Sequence, residues 1–244
     1  MPALLLAARP RDPGRVLLDV RRRATPPLVT GVAWVLTAAM AAGQTVDPSV
    51  LDALRRDPSF AARGEWWRVL SPLLVQADGW PQIVANLLFL AVIGYFAERR
   101  FGPARWLVLY LTGGIAGEVA GYAFEPHGAG NSVAIFGLAG GLLAAGARDR
   151  RSVSPVPVVA SLAWIASIVG LDLGGYVWAA IASSLVVAVA TQVARRVADP
   201  TRLFRPAAVL AAALGVLLVA IADEHGLPIL AGLAAGALMT REGA

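Results

Sequence analysis

Ser132 and His225 are the residues of this chain best suited to covalent chemistry. A serine hydroxyl attacks an amide at neutral pH only when a base takes its proton, and histidine ionises near that pH. The chain has two histidines, His127 and His225, and no cysteine. Thiolate catalysis, disulfides and Cys- or His-rich metal sites are therefore excluded. Charge developing on an attacked carbonyl oxygen needs fixed donors. Gln82 and Asn86 carry amide N–H groups and, four residues apart, share one helix face. The backbone N–H of Ser132 is a third donor. These are the parts of a Ser–His hydrolase, although each amide could equally bond a neighbouring helix.

Apolar segments must position these groups. Of the 244 residues, 57% are hydrophobic and 15% charged, where a soluble domain carries about a quarter charged. Mean hydropathy is +0.66. Apolar stretches at about 28–43, 81–97, 104–123, 132–147, 154–170, 175–194, 206–222 and 226–239 predict an all-α polytopic membrane protein. Eight spans is the count they give. Several fall short of the roughly 20 residues of a full span, so about six to eight transmembrane helices are compatible. Residues 1–27 read as a basic cytoplasmic N-terminal segment, and 28–240 as the transmembrane domain, with a long outer loop at 44–80. The basic start and the run ending "AAMAAG" also fit a signal peptide, but the basic region is long for one.

All 21 basic residues are arginine. The sequence pI near 10.6 could suggest nucleic acid, but the arginines sit at the ends of apolar segments, as membrane topology requires. With the N-terminus in the cytoplasm, 17 fall on the cytoplasmic side and four, Arg55, Arg56, Arg63 and Arg68, outside. Both termini are then cytoplasmic, the expected location is the plasma (inner) membrane, and no nucleic-acid partner is expected. Ser132 and His225 then lie at outer helix ends on the same side. Gly137 with Gly141, and Gly232 with Gly236, are pairs at a spacing of four that lets helices approach closely. Packing of these two helices on each other would bring the Ser132 and His225 ends together.

The motifs, in order, resemble those of the rhomboid family of intramembrane serine proteases. "EWWRVLSPLL" (65–74) is similar to the family's Trp-Arg motif at Trp67 and Arg68. "GWPQIVANLLFLAVIGYFAERRFG" (79–102) is similar to its His-x-x-x-Asn helix at Asn86, Gly94, Glu98 and Gly102. "GNSVAIFG" (130–137) resembles the nucleophile motif at Gly130, Ser132, Phe136 and Gly137. "ILAGLAAG" (229–236) resembles the last-helix His-x-x-Gly-x-x-x-Gly motif at Gly232 and Gly236. The resemblance implies a rhomboid-like helical bundle of divergent, bacterial type. It implies a serine that forms an acyl-enzyme within the bilayer, an aromatic at Phe136 packed on the base, and no metal or cofactor. The implied partner is a transmembrane helix of another membrane protein, cut near its outer end.

Three positions depart from the family pattern. Gln82 replaces the motif histidine, but its amide can still donate. Val133 replaces the glycine after the nucleophile and would add bulk beside it. Ile229 occupies the last-helix histidine column and cannot accept a proton. His225, four residues earlier, is the nearest substitute, about 6 Å nearer the outside if helical. Pro228 favours a helix's first turn, so His225 is expected in a bend just above that helix, with Asp223 or Glu224 to orient its ring. His127, five residues before Ser132, is a second candidate base. Three readings follow: an active intramembrane serine endopeptidase, a non-catalytic rhomboid-like protein that binds transmembrane segments, and an unrelated transporter or scaffold, for which the intramembrane Glu118 would be the feature. Glu98 with Arg99 and Arg100 reads as a charge cluster at a cytoplasmic helix end, and Trp67 and Trp80 as interfacial anchors.

Overall fold

A computed structural model describes residues 26–148 and 154–239. The segment read as 1–27 lies almost wholly outside these. Among the described residues every regular element is helical. Helix α1 spans Leu28–Val46. The loop after it carries α2 (Ser49–Leu54), α3 (Phe60–Arg63) and two 3-10 turns, Trp66–Val69 and Ser71–Leu74. Next come α4 (Gly79–Phe89) and α5 (Tyr95–Phe101), joined without a break by a π-helical turn at Leu90–Gly94. Then follow α6 (Pro103–Phe124), α7 (Ser132–Arg148), α8 (Val156–Gly174), α9 (Tyr176–Arg196), α10 (Phe204–Ala220) and α11 (Gly226–Met239).

Local sequence sets these limits. Pro103 and Pro157 sit in first turns, where the missing N–H costs nothing. Gly102 and Gly175 hold positive φ at two sharp reversals, a region open to glycine. Six continuous apolar helices are long enough to cross a membrane: Leu28–Val46, Gly79–Phe101, Pro103–Phe124, Val156–Gly174, Tyr176–Arg196 and Pro200–Ala220. With the two shorter ones they account for the eight apolar segments of the sequence. The protein is a multi-pass, all-α integral membrane protein.

The two short helices form its centre. Every α7 residue from Ser132 to Gly146 is buried, enclosed by α6, α8, α10 and α11. The glycines make this possible. A Cβ on Gly113 would lie 2.6 Å from Gly137 Cα, one on Gly236 2.5 Å from the Gly141 carbonyl oxygen, and one on Gly140 2.6 Å from that of Ile229. Backbones therefore touch along α6–α7 and α7–α11, with dispersion contacts replacing a hydrophobic drive that lipid does not supply. At about 1.5 Å per residue, the 17 residues of α7 cover roughly 25 Å, less than the ~30 Å of a hydrocarbon core.

One reading of a charged residue changes. Glu98 is not part of a solvated cluster: it is buried and accepts from the N–H groups of Val29 (3.0 Å) and Thr30 (2.7 Å). It thus satisfies donors that open α1, which have no carbonyl within their own helix. The loop between α1 and α4 is a folded cap, braced by the neighbouring Trp67 and Arg68. Arg68 donates to the carbonyls of Asp52 (2.9 Å) and Arg55 (2.7 Å), and Trp67 Nε1 to that of Ala53 (3.3 Å). Tyr122 on α6 donates to the carbonyl of Arg68 (2.9 Å).

Candidate active site

Ser132 opens α7. Ile135 N–H donates to the carbonyl of Asn131 (3.1 Å), which closes the first helical turn. The N–H groups of Ser132, Val133 and Ala134 are then the unpaired donors of a helix start, at the positive end of its dipole. The approach to Ser132 is pinned by backbone hydrogen bonds to the loop between α1 and α4. Gly130 N–H donates to the carbonyl of Pro72 (3.1 Å), and Ala77 N–H to that of Ala129 (3.1 Å).

His225 arrives from the turn between α10 and α11. Ala222, with φ of +62°, reverses the chain in a left-handed conformation that costs a non-glycine residue about 1 kcal/mol. The next three residues, Asp223, Glu224 and His225, face inward and are largely buried. Helix α11 begins directly after His225, with Pro228 in its first turn. This is the bend expected from the sequence, and it lowers the ring onto the nucleophile: His225 Nε2 lies 2.9 Å from Ser132 Oγ.

The sequence left Asp223 and Glu224 as alternatives, and the structure divides them. Asp223 Oδ1 lies 3.0 Å from His225 Nδ1 and accepts from the His225 backbone N–H at 2.7 Å. An ionised carboxylate only accepts, so Nδ1 carries the ring proton and Nε2 presents its lone pair to the Ser132 hydroxyl. Burial alone would raise the Asp223 carboxyl, but its hydrogen bonds and charge pairing with His225 hold it below the usual range. Burial would likewise lower His225; Asp223, with Glu224 and Glu125, outweighs it and raises the imidazole above its ordinary value. Glu224 turns away from the ring to pair with Arg56.

Phe136, one turn below Ser132, packs on the His225 ring at a centroid distance of 5.1 Å and stacks on Trp164 at 5.4 Å. Ile229 is fully buried with its backbone against Gly140, and it does not line the cavity at Ser132. Val133 points away from that cavity onto Gly117, so its bulk does not narrow the cleft. His127 is exposed.

A cavity of about 80 Å³ opens at Ser132 and His225, bounded by Gln82, Asn86, Trp164, Ile168 and Tyr176 among others. Tyr176 on α9 donates to the carbonyl of Asp78 at 3.2 Å, tying α9 to the start of α4 beside this opening. Gln82 and Asn86 are both oriented by partners. Gln82 donates to the carbonyl of Ala129 (3.0 Å) and accepts from Asp78 N–H (2.9 Å). Asn86 is fully buried and donates to Gln76 Oε1 at 2.5 Å. Each amide nitrogen retains a second hydrogen.

Sequence reasoning missed the shell behind these amides. Gln76 donates to Asn131 (3.2 Å), Asn131 to Thr37 (3.1 Å), and Gln44 exchanges two hydrogen bonds with the Gln76 backbone (2.7 and 2.9 Å). Asn131, adjacent to the serine, was legible as a polar residue in an apolar context. Gln76 sits in a polar loop and Gln44 at the end of an apolar span, where nothing distinguishes them from solvated residues. Among the described residues, no group of three or more His, Asp or Glu is placed to hold a metal.

Comparison with known proteins agrees with this architecture. The family model described as "Rhomboid domain" matches residues 63–194, a stretch that contains Gln82, Asn86, Ser132 and Phe136 but ends before His225. The chain is 39% identical over 97 residues to "Rhomboid protease GluP" of Bacillus subtilis (strain 168), covering 39% of this chain and 19% of that protein. It is 34% identical over 114 residues to "Rhomboid-related protein 2" of Mus musculus (46% and 37%), and 35% identical over 80 residues to "Rhomboid-like protease 3" of Toxoplasma gondii (32% and 30%). The aligned stretch spans less than half of each relative's own length. Because the family model covers more than half of the 244 residues, the chain belongs to the rhomboid family.

Proposed function

We propose that this protein is an intramembrane serine endopeptidase that cuts transmembrane helices of other membrane proteins near their outer ends. The observation that carries the reading is the line Ser132 Oγ–His225 Nε2–Asp223, with steps of 2.9 and 3.0 Å. Ile229 argues for a non-catalytic helix-binding protein only if no other base is present, and His225 is in hydrogen-bond reach of the nucleophile.

In this reading Ser132 Oγ attacks the scissile carbonyl carbon as its proton passes to His225 Nε2. Asp223 holds Nδ1–H and stabilises the imidazolium, without itself taking the proton. The oxyanion gains the free N–H groups at the start of α7 and the second amide hydrogens of Asn86 and Gln82. His225 returns the proton to the leaving amine, giving an acyl-enzyme at Ser132, and water then repeats the sequence to release the acid. The implied partners are a substrate helix and the lipid bilayer. In this reading the protein sits in the plasma (inner) membrane, and the arginine distribution supports an orientation with both termini cytoplasmic and the site toward the outer face.

The test is covalent labelling of detergent-purified protein by a fluorophosphonate. The expected result is labelling of the wild type that is lost in Ser132→Ala and in His225→Ala. Equal absence of labelling in wild type and Ser132→Ala, beside an active rhomboid that labels, would overturn the proposal.

A further inference from the structure

Arg56 belongs to none of the motifs above, yet its side chain is fully buried. It reaches three parts of the molecule. Its backbone N–H donates to the carbonyl of Gly128 (3.2 Å), in the turn that leads to Ser132. Its Nε donates to the carbonyl of Glu125 (3.0 Å) at the end of α6, and Nη1 lies 3.5 Å from Glu118 on α6. Its Nη2 pairs with Glu224, the residue next to the base. The space is cut for it: a methyl group on Gly121 or on Gly128 would overlap the guanidinium.

We infer that Arg56 is the positioning residue of the base. It acts through Glu224, and makes the geometry at Ser132 depend on the docked outer loop. The physical reason is directional. The guanidinium is a rigid charged plane whose Nε–H bonds the α6 end and whose Nη groups are charge-paired with Glu118 and Glu224, while the Arg56 backbone N–H holds the Ser132 approach, so one residue ties the α6 end, that approach and the His225 turn to one another. Low dielectric around the group strengthens each pairing. His225 has displaced the usual helical position of the base onto a turn, and a turn needs such an external anchor where a helix does not. This inference rests on the protease reading, and its test separates the two.

Arg56→Ala would leave buried carboxylates without their cation and unfold the site, so two milder variants are used. Arg56→Lys keeps the charge and loses the plane. Gly121→Ala keeps the arginine and fills part of its socket. Full-length protein labelled with 15N-histidine has two imidazoles, and His127→Asn assigns the second. In the wild type, His225 should show one fixed tautomer with Nδ1 protonated. In both variants, compared where circular dichroism and melting show them folded, the ring should lose that fixed signature. Fluorophosphonate labelling of Ser132 should fall roughly 10- to 100-fold, as expected for a displacement of about 1 Å. Folded variants that keep both the wild-type ring signal and labelling rate overturn the inference, as does a lowered melting point with the ring signal unchanged. A wild type with a fixed ring but no labelling overturns the protease reading alone, and the ring signal still tests Arg56.

Discussion

At Ser132 the reactivity depends on which nitrogen of His225 holds the proton, and Asp223 decides this. The pH dependence follows from the raised imidazole. The base works only when neutral, so labelling should rise with pH through a midpoint above the ordinary value of about 6.5. It should fall away below that midpoint as the ring protonates. In Asp223→Asn the largest influence that raises the ring is gone, leaving only Glu224 and Glu125 against burial. The midpoint should move down, and the plateau rate should fall by about 10²- to 10⁴-fold. A pH–rate profile of fluorophosphonate labelling measures both. An unchanged midpoint in Asp223→Asn would mean that the carboxylate does not act on the ring.

At the scale of elements, two devices fix the helices relative to one another. The first is glycine contact. Gly137 meets the backbone of α6 at Gly113 and that of α11 at Gly232, so Gly232→Val should separate α7 from α11. The cost should be at least the ~1–3 kcal/mol of core overpacking, read as a lower melting temperature, with loss of Ser132 labelling because the turn that carries His225 leads directly into α11. The second is the Glu98 cap on α1. Glu98→Ala frees one buried and one part-buried N–H group and should cost about 1–2 kcal/mol while leaving the pH profile of labelling unchanged, since Glu98 lies about three turns along the α4–α5 span from Asn86. Thermal melting beside a labelling profile distinguishes the two variants.

For the molecule as a whole, the long helices frame two short ones whose N-terminal ends carry the site. The absence of cysteine makes topology simple to measure. In the proposed orientation, a single cysteine at the exposed Ala62 of the outer cap should react with an impermeant maleimide in intact cells. One at the exposed Arg196 should react only after permeabilisation. Reversal of that pattern would place Ser132 on the cytoplasmic face. The positive-inside bias would then have failed for this chain.

The sequence by itself determined the class of molecule and much of the parts list. Apolar runs bounded by proline, glycine and arginine specify membrane helices because the bilayer forces backbone groups to pair within a segment. Glycines at a spacing of four mark the faces that touch because helix periodicity is local. Ser132 and Phe136 were legible for the same reason, one turn apart on one helix. What only the tertiary structure decided is how groups distant in sequence meet. His225 reaches Ser132 across 93 positions through a turn set by Ala222 and Pro228, and no spacing rule encodes a bend of a few ångströms. Asp223 and Glu224 are adjacent and chemically alike, and only the fold sends one to the ring and the other to Arg56. Arg56 and Glu98 carry charges that a sequence reading assigns to water. Their burial follows from glycine-lined space and helix ends that exist only once the bundle is assembled.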